Sequence, residues 1–197
     1  MKPWAQTFED KMKAKIQTQI SQNNGIVEDI QRHTSWAINR YESKKHLKER
    51  VTYEPEEAIE LFGRPQNTTF HGNILLNEGV TLLWQLCATT GGTKWDNSNA
   101  RLGVGDSSTA ESSTQTGLQA TTNKAFKSMD SGYPTISTNT CSWKSTFDGS
   151  DANFVWNEFT LVNAADDSGT NLNRKVSAQG TKQSGQAWEL TLQISLS

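Results

Sequence analysis

The chain has 197 residues, a formal net charge of -2, 34% hydrophobic and 20% charged residues, and a mean hydropathy of -0.68. This allows one domain with an ordinary core, or a smaller domain with an extension, and the polarity points to segments that lie on a surface or a partner. The slightly acidic balance argues against a nucleic-acid binder, Met1 to Ile20 is too polar for a signal peptide, and no apolar run approaches the ~20 residues that cross a bilayer.

Residues 1–71 are rich in Lys, Glu, Gln and Arg, whereas residues 72–197 are rich in Ser, Thr, Asn and Gly and hold most of the aromatics. Such a shift marks an architectural boundary, so residues 1–71 read as a helical and extended N-terminal arm and residues 72–197 as a separate domain. In the arm, Phe8, Met12, Ile16 and Ile20 fall four apart, the spacing of one helical stripe, with Thr7 as cap and Asn23-Asn24-Gly25 as stop. A second helical pattern puts Ile26, Ile30, His33, Ala37 and Tyr41 on one face, with Val27, Trp36 and Ile38 beside it. Stripes this narrow build no core alone, so the arm packs either on its own domain or on a neighbouring subunit. A strap follows, with a helical turn near Glu56 to Phe62 stopped by Gly63 and Pro65, and otherwise extended. Tyr53, Phe62 and Phe70 would anchor it to a surface.

"GNILLNEGVTLLWQLCATTGG" predicts a helix with Asn73 as cap and a broad apolar face of Leu75, Leu76, Val80, Leu83, Trp84 and Cys87, suited to packing on a sheet. From Ala100 the period becomes two. Leu102 and Val104 alternate, as do Cys141, Trp143, Ser145 and Phe147. "NFVWNEFTLVN" places Val155, Phe159 and Leu161 opposite Phe154 and Trp156. "WELTLQISLS" points Trp188, Leu190, Leu192, Ile194 and Leu196 inward, and Glu189, Thr191, Gln193, Ser195 and Ser197 outward. Turn signals at Asp148-Gly149-Ser150, Asp167-Ser168-Gly169 and Gln183-Ser184-Gly185 separate the runs. The expected fold is mainly β: an antiparallel β-sandwich with one packed helix, preceded by the arm.

Candidate chemistry begins at "ARLGVGDSS". Gly-Asp-Ser after a strand is how one group of serine esterases presents its nucleophile, and a serine needs a base, usually His, within reach. His33, His46 and His71 all precede Ser107, no histidine follows it, and no βαβ pattern does either. Ser107 therefore reads as part of a strand end and turn, and no catalytic residue is expected. There is no phosphate loop, no His/Cys cluster at zinc spacing and no EF-hand, so no metal or cofactor is expected. Asp148, Asp151, Asp166 and Asp167 fit solvated turns better than calcium ligands. Glu158 is either a buried acid or an exposed edge residue, or it pairs with Arg101 or Arg174. Trp143, Trp156 and Trp188 fit the core better than a sugar-stacking surface. Cys87 and Cys141 read as buried free thiols rather than a disulfide, which suits a reducing compartment.

From about Gly72 to Ser197 the order "GNILLNEGV", "NARLGVGDSSTAESSTQTGLQ", "NKAFKSMDSGYP", "STFDGSDANFVWNEFTLVN", "LNRKV" and "GTKQSGQAWELTLQISLS" resembles a family of small structural proteins of tailed bacteriophages. A looser version, a "VGD" strand end, a "T-x-L" connection and an aromatic-Glu strand, is similar to the attachment domains of tail-collar fibres. The resemblance implies a non-enzymatic virion protein assembled in the host bacterial cytoplasm. A capsid decoration (cement) protein that binds the major capsid protein lattice and stabilises the head is the leading expectation. A tail, neck or fibre-attachment protein is the alternative. Partners would be the major capsid protein or another virion protein and further copies of the chain, often as a trimer in such proteins, with no nucleic acid and no membrane. The candidate partner-binding residues are Trp4, Phe8, Met12, Ile16, Trp36, Tyr41, Tyr53, Phe62 and Phe70.

Overall fold

The computed structural model describes residues 32–197. In chain order the elements are β1 (Arg32–Tyr41), α1 (Lys44–Glu49), α2 (Pro55–Phe62), β2 (Asn67–His71), β3 (Ile74–Leu75), α3 (Asn77–Ala88), β4 (Arg101–Gly105), β5 (Lys124–Ser128), β6 (Thr135–Ser137), β7 (Thr140–Phe147), β8 (Glu158–Val162), β9 (Asn171–Val176) and β10 (Ala187–Leu196). They form two five-stranded antiparallel sheets, ordered β2-β1-β10-β7-β6 and β3-β9-β8-β4-β5. The expected sandwich is therefore the observed fold, with its core between the sheets.

The second predicted helix is wrong over its described part. Residues 32–41 form β1, which lies between β2 and β10 in the first sheet. Trp36 stands opposite Leu192 on one side and Phe70 on the other, and Ile38 opposite Leu190 and Thr68. The inward positions are Thr34, Trp36, Ile38 and Arg40, a period of two. The arm–domain boundary at residue 71 consequently falls inside the sandwich, which begins at Arg32. The first predicted helix, Ile26, Val27 and Ile30 of the second, and the candidate anchors Trp4, Phe8, Met12 and Ile16 lie outside the described residues.

Arg40 hides the alternation of β1, because it places a cation in an inward slot. Its guanidinium stacks 4.6 Å from the Trp188 ring centroid. It donates to Pro65 O (3.1 Å), Thr68 Oγ1 (2.7 Å), Gln179 O (3.1 Å) and Gln179 Oε1 (3.2 Å). Burial, then the nearby charge of Arg64, brings its pKa down to about 10.

The helices are short and locally specified. Ser43 Oγ accepts from His46 N at the start of α1. Pro55 opens α2, and Gly63 ends it at φ 65, as the sequence suggests. α3 starts later than predicted, with Leu76 rather than Asn73 at the cap position, and buries only Gly79 and Leu82 along its length. Its expected broad apolar face is thus narrower, and Leu83, Trp84 and Cys87 face out. Gly79 explains the contact. A Cβ there would stand 2.5 Å from Leu172 O, so only glycine lets α3 lie on the β9 backbone.

An aromatic cluster fills the core. Trp156 meets Trp188 edge-on at 4.8 Å and Phe147 at 4.9 Å, and Trp36 meets Phe159 at 5.7 Å. Trp143, Trp156 and Trp188 are core residues, as expected. Two strand patterns depart from prediction. Residues 153–157 are not a regular strand, so Trp156 and Phe159 both point inward while Val155 is exposed. In β10 Trp188, Leu190 and Leu192 are fully buried, but Leu196 is exposed and Glu189, expected outside, is buried.

Candidate functional site

At the end of β4, Ser107 Oγ donates to Thr109 Oγ1 (3.0 Å) and accepts from Thr109 N (3.2 Å), a local turn closed by its own hydroxyl. His33 and His71 lie on β1 and β2 in the opposite sheet, and His46 lies in α1 with Nδ1 2.9 Å from the Tyr53 hydroxyl. The glycines of the motif have a steric purpose. A Cβ on Gly105 would stand 2.5 Å from Glu158 Oε1, and one on Gly103 would stand 2.7 Å from Thr160 Cγ2 and 2.8 Å from the Phe126 ring.

Glu158 is buried, and its partner is Arg174, not Arg101. The two occupy adjacent strands, where Thr160 faces Arg174 and Glu158 faces Val176, so their side chains meet on a diagonal. Arg174 Nε and Nη2 reach Glu158 Oε2 at 2.8 and 2.7 Å. The same carboxylate accepts from Gln119 N (2.9 Å) and Ala120 N (2.7 Å). Arg174 Nη1 donates to Thr109 O (3.0 Å) and Gln115 Oε1 (3.0 Å). One buried ion pair thus fastens the long polar connection between β4 and β5 to the sheet. Arg101 instead donates to Ser98 O and Ala100 O.

The candidate partner residues divide sharply. Trp36, Tyr41 and Phe62 are buried within this subunit, which removes them from its accessible surface. Phe70 is half-buried and stacks on Trp36 at 6.2 Å, and Tyr53 is half-buried against Phe62. The exposed apolar residues lie elsewhere. Ile136 is 79% exposed, Trp84 70% and Leu196 53%. Ile136, Leu196 and Leu83 border a groove of about 490 Å³ floored by Leu75, Trp143, Leu172 and Ile194, with Cys141 and Arg32 at its edge. The groove lies at the end of the sandwich where β1 begins, β10 ends and β7 begins. Sequence reasoning missed it. Ile136 belongs to a three-residue strand too short to show a period. Trp84 follows the buried Leu82 by two residues, about 200° around a helix, and so faces away from the sheet.

The aspartates serve turns and ion pairs. Asp148 accepts from Ser150, Asp166 from Ser168 N, and Asp167 pairs with Lys124 at 2.8 Å. Among the described residues no three His, Cys, Asp or Glu side chains gather to hold a metal ion, and no helix is long and apolar enough to cross a membrane. Cys87 and Cys141 are free thiols, Cys87 exposed rather than buried, and burial pushes the Cys141 thiol pKa up. No protein-family model matches the chain, and no curated protein or solved structure matches it.

Proposed function

We propose that this chain is a non-enzymatic virion structural protein of a tailed phage, and that it works as a capsid decoration (cement) protein on the major capsid protein lattice. The observation that carries the reading is the apolar end of the sandwich. Ile136, Leu196 and Leu83 stand exposed around an apolar groove, a surface of the kind used in protein contacts. The ordered phage-like series covers the same domain. A protein that adds contact area between capsomers needs a rigid body with an adhesive surface. The cross-sheet core supplies the first, and the apolar end, together with Phe8, Met12 and Ile16 in the sequence before it, supplies the second. The protein would assemble in the host cytoplasm, act as a homo-oligomer such as a trimer, and need no cofactor. The order from "VGD" to "WNEF" favours a second reading, a tail, neck or fibre-attachment protein.

Copy number in purified virions separates the two readings. A number matching the capsid lattice supports decoration, whereas one matching a single vertex or tail ring supports attachment. Binding of the full-length chain to undecorated capsids then tests the surface. Replacing Ile136 and Leu196 by Ser, or Phe8, Met12 and Ile16 by Ser, should lower the affinity. Unchanged saturation by both variants would defeat the decoration reading.

A further inference from the structure

Lys182 has no part in the surface just described, and its environment is unusual for a lysine. Thr181 bridges Val155, and Lys182 N donates to Phe154 O, so residues 153–155 and 181–182 run side by side. The Lys182 side chain is fully buried, and no other lysine among the described residues is. Its Nζ reaches Asp148 O at 2.7 Å and Asn153 Oδ1 at 2.9 Å, and neither is a carboxylate. Lys127 and Lys144, by contrast, pair with acids. Burial lowers the Lys182 pKa from 10.5 to about 8, helped by the charge of Lys127 and opposed by Asp151 and Asp148. A desolvated amine of this kind is a nucleophile. The Asn153 carboxamide beside it is held in place, because Asn153 Nδ2 donates to Gly149 O at 2.9 Å.

We propose that Lys182 and Asn153 join in an intramolecular isopeptide bond. The amine Nζ attacks Asn153 Cγ, the Cγ–Nζ bond forms, and the Cγ–Nδ2 bond breaks. Of the three ammonium protons, one stays on the new amide nitrogen and two leave with Nδ2 as an ammonium ion. No oxidant or reductant takes part. The product covalently ties the segment before β8 to the segment before β10, in a sandwich whose proposed task is to resist mechanical load.

Intact mass of the full-length chain tests this without any variant. The denatured protein should weigh less than its sequence by one ammonia, and digestion should yield one branched peptide joining Asn153 to Lys182. Succinimide formation at Asn24-Gly25 would remove the same mass, so the branched peptide is decisive. Lys182→Arg should keep the full mass. A wild-type chain at full mass after prolonged incubation in the folded state, or an ammonia loss mapped elsewhere, overturns the proposal.

Discussion

Glu158→Gln should destabilise the fold far more than its isosteric change suggests. The Glu158 carboxylate accepts from Gln119 N, Ala120 N and Arg174 Nε, and lies in ion-pair contact with Arg174 Nη2. A glutamine turns one acceptor position into a donor aimed at other N–H groups. It also leaves the Arg174 guanidinium, itself fully buried, without its counter-charge. Breaking one side of a buried pair costs about 3–5 kcal/mol, a large part of the roughly 5–15 kcal/mol that holds a domain folded. Urea unfolding should show a lower midpoint at unchanged m. Hydrogen exchange should show selective loss of protection at the Gln119 and Ala120 amides, because the polar connection is released first. In a double-mutant cycle with Arg174→Met, the second substitution should add less than it costs alone. A loss below about 1 kcal/mol, the range of an exposed pair, would refute the reasoning.

Gly79→Ala should lower stability by about 1–3 kcal/mol by driving α3 off β9. Its helical circular dichroism should be unchanged, because the clash is with Leu172 O rather than within the helix. Glu189 is buried, which raises a carboxyl pKa, yet its bonds to Arg50 and Lys144 outweigh this and hold it below the ordinary value of 4.5. A depressed carboxyl pKa means that the unfolded chain binds the proton first. The stabilisation is therefore present at neutral pH and lost as pH falls through the folded-state value. Unfolding free energies measured between pH 7 and pH 3 should show this fall, and Glu189→Gln should flatten it. Trp84→Ser should change stability by no more than about 0.5 kcal/mol, since the ring is 70% exposed and belongs to no core cluster. Thermal melts check this.

What the sequence revealed tracks how each residue reconciles local pattern with its neighbours. β10 was legible because Trp188, Leu190 and Leu192 alternate with polar residues and all face one core. β1 has the same geometry and was misread, because Arg40 takes an inward slot that pattern reading reserves for an apolar side chain. The Trp188 ring, the carbonyls of Pro65 and Gln179, and the Thr68 and Gln179 side chains, all distant in sequence, make that slot habitable. Compositional contrast failed for a related reason. Most of the charged residues that set residues 32–71 apart lie on and around α1 and α2, while Trp36 and Ile38 of β1 pack into the same core as the rest of the sandwich.

The same logic separates Glu158 from the apolar groove. Glu158 could be shortlisted from sequence, since an acid inside an aromatic strand needs a partner, and Arg174 was one of two candidates. The β8–β9 register chose between them. The groove had no such trace, because it arises where residues of several strands distant in sequence meet one helix. Ser107 shows the converse. Its motif is locally conspicuous, yet Gly103 and Gly105 answer to Phe126, Thr160 and Glu158 across the sheet. Gly105, part of the motif that suggested a nucleophile, instead makes room for the buried acid that fastens the loop carrying that serine.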